Sequence, residues 1–160
     1  MKYKIVIGIA LITLLSGCAS SNPSTAWNKN LIKIKAPVRM VIDNSYTNTN
    51  ATRYSEDWAG VKGKSIINEQ YTNMVLAGIE KKCGYSKEQF IEAYIVQHVN
   101  NDTSNIIEEV WLFNDPKSFR EDKVSGLTIY LEYNKKTNVT LGDFFGSCHT
   151  GKGTSFTVEN

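Results

Sequence analysis

Cysteine and histidine carry the widest chemistry in this chain, and there are few of them: Cys18, Cys83, Cys148, His98 and His149. A cysteine beside a histidine could be a nucleophile with its base, and two of each could hold a metal. Neither pattern is well formed. Cys148 and His149 are adjacent, and neighbours on an extended segment point to opposite faces, which is poor geometry for a thiolate and its base. Among Cys83, His98, Cys148 and His149 the adjacent pair is also the only close one, so no metal or other cofactor is expected. A disulfide between Cys83 and Cys148 is the remaining reading, and it depends on the compartment.

Other candidates are weaker. Gly146, Gly151 and Lys152 match the glycine and lysine positions of a phosphate-binding loop, but Gly153 stands where a Ser or Thr should hold Mg²⁺. No helical pattern follows, so these glycines read as a turn. Paired acids occur at Glu56/Asp57, Glu108/Glu109 and Glu121/Asp122. Neighbouring carboxylates on a strand face opposite ways and cannot share a proton, so solvated surface placement is the expectation. Ser16 and Ser65 lack the Gly-x-Ser-x-Gly context of an activated serine. No catalytic residue is assigned, and the chain is read as a non-enzyme.

The N-terminus is more specific. Lys2 and Lys4 precede an apolar run, Ile5 to Leu15 (IVIGIALITLL). Eleven residues at about 1.5 Å rise fall well short of a hydrocarbon core of about 30 Å, so the run reads as the core of a secretory signal peptide. Leu15-Ser16-Gly17-Cys18 follows, and this stretch resembles the lipobox of bacterial lipoproteins. The resemblance is confined to the first eighteen residues or so. It implies cleavage before Cys18, a diacylglycerol thioether on the Cys18 sulfur and a further acyl chain on the new amino group. More than one chain makes a stable anchor, since a single myristoyl chain binds only marginally at about 0.8 kcal/mol per CH₂. In that family Asp after the cysteine favours retention at the inner membrane. Ala19 stands here, so the expectation is the outer membrane, periplasmic face.

The resemblance divides the chain into a signal peptide (1–17), a lipidated tether (18–30) and a single periplasmic domain (31–160). With Cys18 lipidated, Cys83 and Cys148 are an even pair in an oxidising space, and a disulfide is expected. It would close a loop of about 65 residues, for which chain entropy gives about 4 kcal/mol.

Composition agrees with a globular domain. The 160 residues are 41% hydrophobic and 21% charged, which excludes disordered, collagen-like and coiled-coil classes. Both charged residues within 1–17 are lysines, so the mature chain would carry 16 basic and 16 acidic residues. A neutral domain gives no electrostatic reason to bind nucleic acid. Lys29, Lys33 and Lys35 make one local basic stretch beside the anchor.

The elements expected are these. Ala19–Asn30 (ASSNPSTAWNKN) reads as a flexible spacer. Alternation from Leu31 to Asp43 predicts a strand bent at Pro37, and Asn44 to Gly63 reads as loop and turn. Ser65–Lys82 has a helical apolar face with Ser65 as N-cap and Gly84 as its stop. Ser86-Lys87-Glu88-Gln89 matches a capping box and predicts a second helix to about His98. Strands follow at Ile106–Phe113, Leu127–Tyr133, Val139–Phe145 and Ser155–Val158. The sum is an α+β fold: an antiparallel sheet of four to five strands packed with a two-helix hairpin and pinned by one disulfide.

Aromatics in polar segments are the last signal. Tyr46, Tyr54 and Trp58 lie in polar segments read as exposed loops, where an aromatic is more often a packing plug but is also the residue type that anchors interfaces, and Phe119 in the charged stretch Asn114–Ser125 is another candidate contact tip. The function expected is therefore a lipid-anchored module that binds a partner protein, of which an immunity or inhibitor protein against a secreted toxin is one form. The alternatives are an accessory of an envelope complex or peptidoglycan contact and, third, a small hydrolase.

Overall fold

A computed structural model describes residues 23–118 and 120–151, together with the backbone of 155–159. Cys18 and Phe119 lie outside the described residues, as do Lys152 and Gly153. The elements run α1 (Pro23–Lys33), β1 (Val38–Ile42), β2 (Ala51–Trp58), β3 (Val61–Gly63), α2 (Glu69–Cys83), β4 (Phe90–Asn100), β5 (Ser104–Asn114), β6 (Val124–Asn134), β7 (Val139–Phe145) and β8 (Ser155–Glu159). All strand pairs are antiparallel, in a five-stranded sheet ordered β3-β4-β5-β6-β7 and a three-stranded sheet ordered β1-β2-β8. The α+β class holds, and so does the disulfide.

The period-two pattern of β5 and β6 decides the layers. Register pairs Trp111 with Leu127, Glu109 with Ile129 and Ile107 with Leu131, so these side chains share one face. That face packs under α2, where Leu76, Ile79 and Cys83 complete a core with Tyr85 and Phe113. Val110 and Leu112 point the other way and meet Trp58, Ala59 and Val38 of the small sheet. The large sheet is thus the middle of three layers, buried on both faces.

The two-helix hairpin is not formed. α2 ends as the sequence implies, with Lys81 and Lys82 in its last turn and Gly84 in the left-handed conformation at φ 75°. Its N-cap, however, is Asn68 rather than Ser65, whose side chain accepts from Tyr71 N at 3.0 Å. The Ser86–Gln89 box also forms, with Gln89 Oε1 accepting from Ser86 N at 2.9 Å, but it opens a single 3-10 turn. The next eleven residues are β4. Two register shifts, at Phe90/Glu92 and Ile95/Gln97, break the alternation of β4, so its inward residues fall three apart, Phe90 and Ala93, and imitate a helical face. Ile91, Tyr94, Ile95, Val96 and Val99 are β-branched or aromatic, which suits a sheet.

The spacer is also corrected. Pro23–Lys33 is a helix, opened by a proline at its first position, where no N–H is needed. It ends in a Schellman turn: Ala36 N donates to Leu31 O at 2.9 Å, Lys35 N to Ile32 O at 3.0 Å, and Lys35 occupies the left-handed position at φ 51°. Leu31–Lys33 therefore belong to α1, and the strand predicted from Leu31 begins only at Val38. The Asn28 side chain accepts from Met40 N at 2.7 Å and donates to Met40 O at 2.9 Å, satisfying the outer edge of β1 as a neighbouring strand would.

Candidate functional site

The densest polar constellation lies where β5 ends. Asp115 is 1% exposed. Its Oδ2 accepts from Ser125 Oγ at 2.7 Å and from Tyr85 Oη at 3.0 Å, while Oδ1 accepts from Lys117 N at 3.0 Å. His149 Nδ1 stands 3.0 Å from both carboxylate oxygens. An ionised carboxylate only accepts, so Nδ1 carries the hydrogen and Nε2 is the free ring position. His149 N donates to Tyr85 Oη at 2.6 Å, and the Tyr85 ring stacks on Phe113 at 5.0 Å between centroids. Burial pushes the Asp115 carboxyl up, but the bonds from Ser125, His149, Tyr85 and the Lys117 amide outweigh it and hold the group below the usual aspartate value. Burial raises the Tyr85 hydroxyl above its ordinary value.

The disulfide builds this place. Cys83, the last residue of α2, joins Cys148 with 5.3 Å between Cα atoms. The bond carries the segment after β7 back over the end of β5 and sets His149, at φ 65°, against Asp115. A cavity of about 170 Å³ opens beside it, lined by Gln89, Pro116, Lys117 and the imidazole. An aspartate orienting an imidazole is the base half of a hydrolytic triad. Ser125 and Tyr85, the hydroxyls in the cluster, both donate to the aspartate, so neither stands as a nucleophile before Nε2. The arrangement is a polar clamp, buried at Asp115 and partly exposed at His149, that joins the disulfide in holding the 146–151 segment.

His98 takes no part. It is exposed on β4, with Nε2 3.0 Å from Asn105 Oδ1. Among the described residues no three His, Cys, Asp or Glu side chains converge as a metal site would need.

The expected interaction aromatics are redistributed. Tyr54 is 5% and Trp58 7% exposed, because both lie on the inward face of β2 rather than in a loop. Trp58 fills the space between the sheets, and Tyr54 meets the ring of Trp27 edge-on at 5.5 Å. Trp27, expected in the tether, is thus docked on the domain. Tyr46 alone of the described three keeps a loop position, partly exposed, with the Arg53 guanidinium 6.0 Å from its ring centroid. Two of the paired acids are buried as well. Glu109 is 0% exposed and accepts from Trp111 Nε1 at 2.6 Å and Ile66 N at 2.8 Å. Glu108, on the opposite face as alternation requires, takes Lys35 Nζ at 3.0 Å.

Two apolar hollows went unread in the sequence. One, about 480 Å³, runs between α2 and β7, with Tyr71, Met74 and Val75 on one wall, Thr140 and Phe144 on the other and Leu141 at the outer edge. Gly78 and Gly142 leave its floor open, and a Cβ on Gly142 would come within 2.7 Å of Leu131 Cδ2. Met74 and Leu141 are 62% and 63% exposed at its rim. β7 is an edge strand, and among the described residues no strand pairs with its outer side. The other hollow, shallower and about 490 Å³, lies beside α1 and is bounded by Trp27, Leu31, Ile34, Met40 and Glu56.

The fold and its clamp define a disulfide-pinned α+β sandwich with an open groove along one sheet edge. No family model matches the chain, and neither a curated protein nor a solved structure matches it.

Proposed function

We propose that the protein is a lipoprotein, anchored through Cys18 at the periplasmic face of the outer membrane, that binds an extended segment of a partner protein in the groove between α2 and β7. The observation that supports binding most directly is the pairing of an exposed apolar trough with an unpaired sheet edge. An added strand would take main-chain hydrogen bonds from β7, set one alternate series of side chains against Met74, Val75 and Phe144, and set the other beside Leu141 on the opposite face. Apolar groups this exposed at a groove mark an interaction site more often than scattered surface leucines do. An immunity or inhibitor protein is one form this binding would take. The anchor is supported by the basic start, the short apolar run and Leu15-Ser16-Gly17-Cys18.

The test combines crosslinked capture from native cells with groove variants. Leu141→Glu and Met74→Glu place charges on exposed positions and should leave the fold intact. They are expected to abolish recovery of the partner that wild-type protein captures. Recovery unchanged in both variants would overturn the groove, and a Cys18→Ser protein still fractionating with the outer membrane would overturn the anchor.

A further inference from the structure

We infer that α1 is a membrane-contacting helix, and that the domain lies docked by it on an anionic lipid surface instead of swinging on a free tether. The inference rests on the proposed lipidation of Cys18. Four residues, or five Cα–Cα steps, separate Cys18 from Pro23, and at no more than about 3.6 Å a step they keep the start of α1 within about 18 Å of the anchored cysteine. The first turn of α1 therefore stays close to the headgroups, and Ile32, about 14 Å further along, meets them when the helix lies along the surface.

What it exposes fits that surface. Ile32, and Ile34 in the turn that follows the helix, are 57% and 66% exposed. Lys29 and Lys33, one turn apart, are exposed beside them, and α1 contains no acidic residue. Lys35, the third lysine of this stretch, is committed inward to Glu108 and leaves the outward charge to the other two. Glu56, partly exposed at the far wall of the α1 hollow, is the one carboxylate among the residues that bound it. Isoleucines flanked by lysines are the pattern of a helix lying in an interface, the apolar groups entering the acyl boundary and the ammonium groups meeting phosphate. Among the described residues no helix is long and apolar enough to cross a membrane, so α1 would lie on the surface. The helix is already fastened to the domain through Asn28 and Trp27, so its contact with lipid orients the whole fold.

The test uses the mature acylated protein reconstituted in vesicles, with a single cysteine placed at Ile32→Cys or, as control, at Val61→Cys on β3, which is 75% exposed. Each is labelled with a nitrobenzoxadiazole fluorophore, and Cys83 and Cys148 stay paired. In vesicles of phosphatidylglycerol and phosphatidylethanolamine the label at position 32 should be quenched by nitroxide lipid and reduced by aqueous dithionite about tenfold more slowly than the label at 61. That protection should fall several-fold in pure phosphatidylcholine, and likewise when Lys29→Glu and Lys33→Glu are combined. Equal dithionite rates at 32 and 61 in acylated protein would overturn the docking alone. Protection at 32 that grows with protein density and is blind to lipid charge would overturn it in favour of a contact between copies. Mass spectrometry showing an unmodified Cys18 would overturn the anchor and the docking together.

Discussion

The six-membered ring of Trp58 packs directly against Gly126. A Cβ built on that glycine would overlap Cζ3 of the indole and stand 3.1 Å from Cε3 and Cη2, so the absence of a side chain at 126 is what lets the ring reach the large sheet. Gly126 faces the small sheet from β6, opposite Leu112 on β5, and the two sheets close over this contact. A methyl group there has no flexible neighbour to displace. Gly126→Ala is expected to destabilise by about 1–3 kcal/mol, the usual effect of overpacking, or about 2–12 °C in Tm for a chain of this size. Thermal melts of Gly126→Ala, Trp58→Phe and the double variant check it. The smaller ring should recover part of the loss, and strictly additive losses would mean the two residues do not share the space.

Lys35 is held in the left-handed conformation that glycine adopts freely, yet its ammonium reaches Glu108 at 3.0 Å and sits 3.7 Å over the Tyr130 ring. The residue does two things with opposite signs: its backbone is strained, and its side chain neutralises a carboxylate that is only 8% exposed. Lys35→Ala keeps the strain and removes the partner, and should cost about 2–4 kcal/mol. Lys35→Gly removes both and should be better tolerated by up to about 1 kcal/mol. Urea denaturation of the two variants decides the order, and the reverse order would remove backbone strain from the account.

Legibility in the sequence followed the regularity of each element. β5, β6 and β7 alternate without interruption, so the strands could be read, with the bounds of β7 exact and those of β5 and β6 short by one to three residues at each end. α2 has an unbroken apolar stripe, a glycine stop and lysines in its last turn. β4 was misread because two bulges shift its alternation, and β2 because its inward residues, Tyr54 and Trp58, are separated by Glu56 and preceded by an Asn-rich loop. α1 is helical because Trp27 and Leu31 have β1 and β2 to pack on, a tertiary fact that a polar twelve-residue composition hides. The disulfide could be argued from cysteine count and compartment. The Asp115–His149 pair could not: its members are 34 residues apart, and only the disulfide and the return of the chain after β7 bring them together.

Asp115 makes stability depend on pH in a stated direction. Its folded carboxyl titrates below the ordinary aspartate value of about 3.9, so between the two values the unfolded chain binds the proton that the folded one refuses. Its contribution is therefore whole above about pH 5 and is lost as pH falls through the lower folded value. Asp115→Asn should flatten the acid limb of the stability curve below pH 4. It should also cost stability at pH 7, because Ser125, Tyr85 and His149 lose an anionic acceptor. Denaturation midpoints measured from pH 2 to pH 7 for both proteins test this, and parallel curves would assign the acid sensitivity to other carboxylates.

The Cys83–Cys148 bond links the C-terminus of α2 to the segment carrying His149, so its loss should act in two places. Chain entropy for a loop of 65 residues predicts a cost of about 4 kcal/mol, with about 2 as the lower end of common measurements. Locally, the 146–151 segment would lose its covalent tie to α2 while keeping the bonds of His149 to Asp115, which follows β5, and to Tyr85, which follows α2. The paired variant Cys83→Ser/Cys148→Ser should therefore melt lower, by about 4–16 °C for this length, with amide exchange accelerated first at residues 146–151 and at the last turn of α2. Adding His149→Ala should release the segment further, because the clamp and the bond from Gly126 N to Thr150 O are then its remaining holds. If exchange at 146–151 were unchanged by the loss of the disulfide and fast only after His149→Ala, the clamp alone would hold the segment, and the bond would act on the unfolded chain alone.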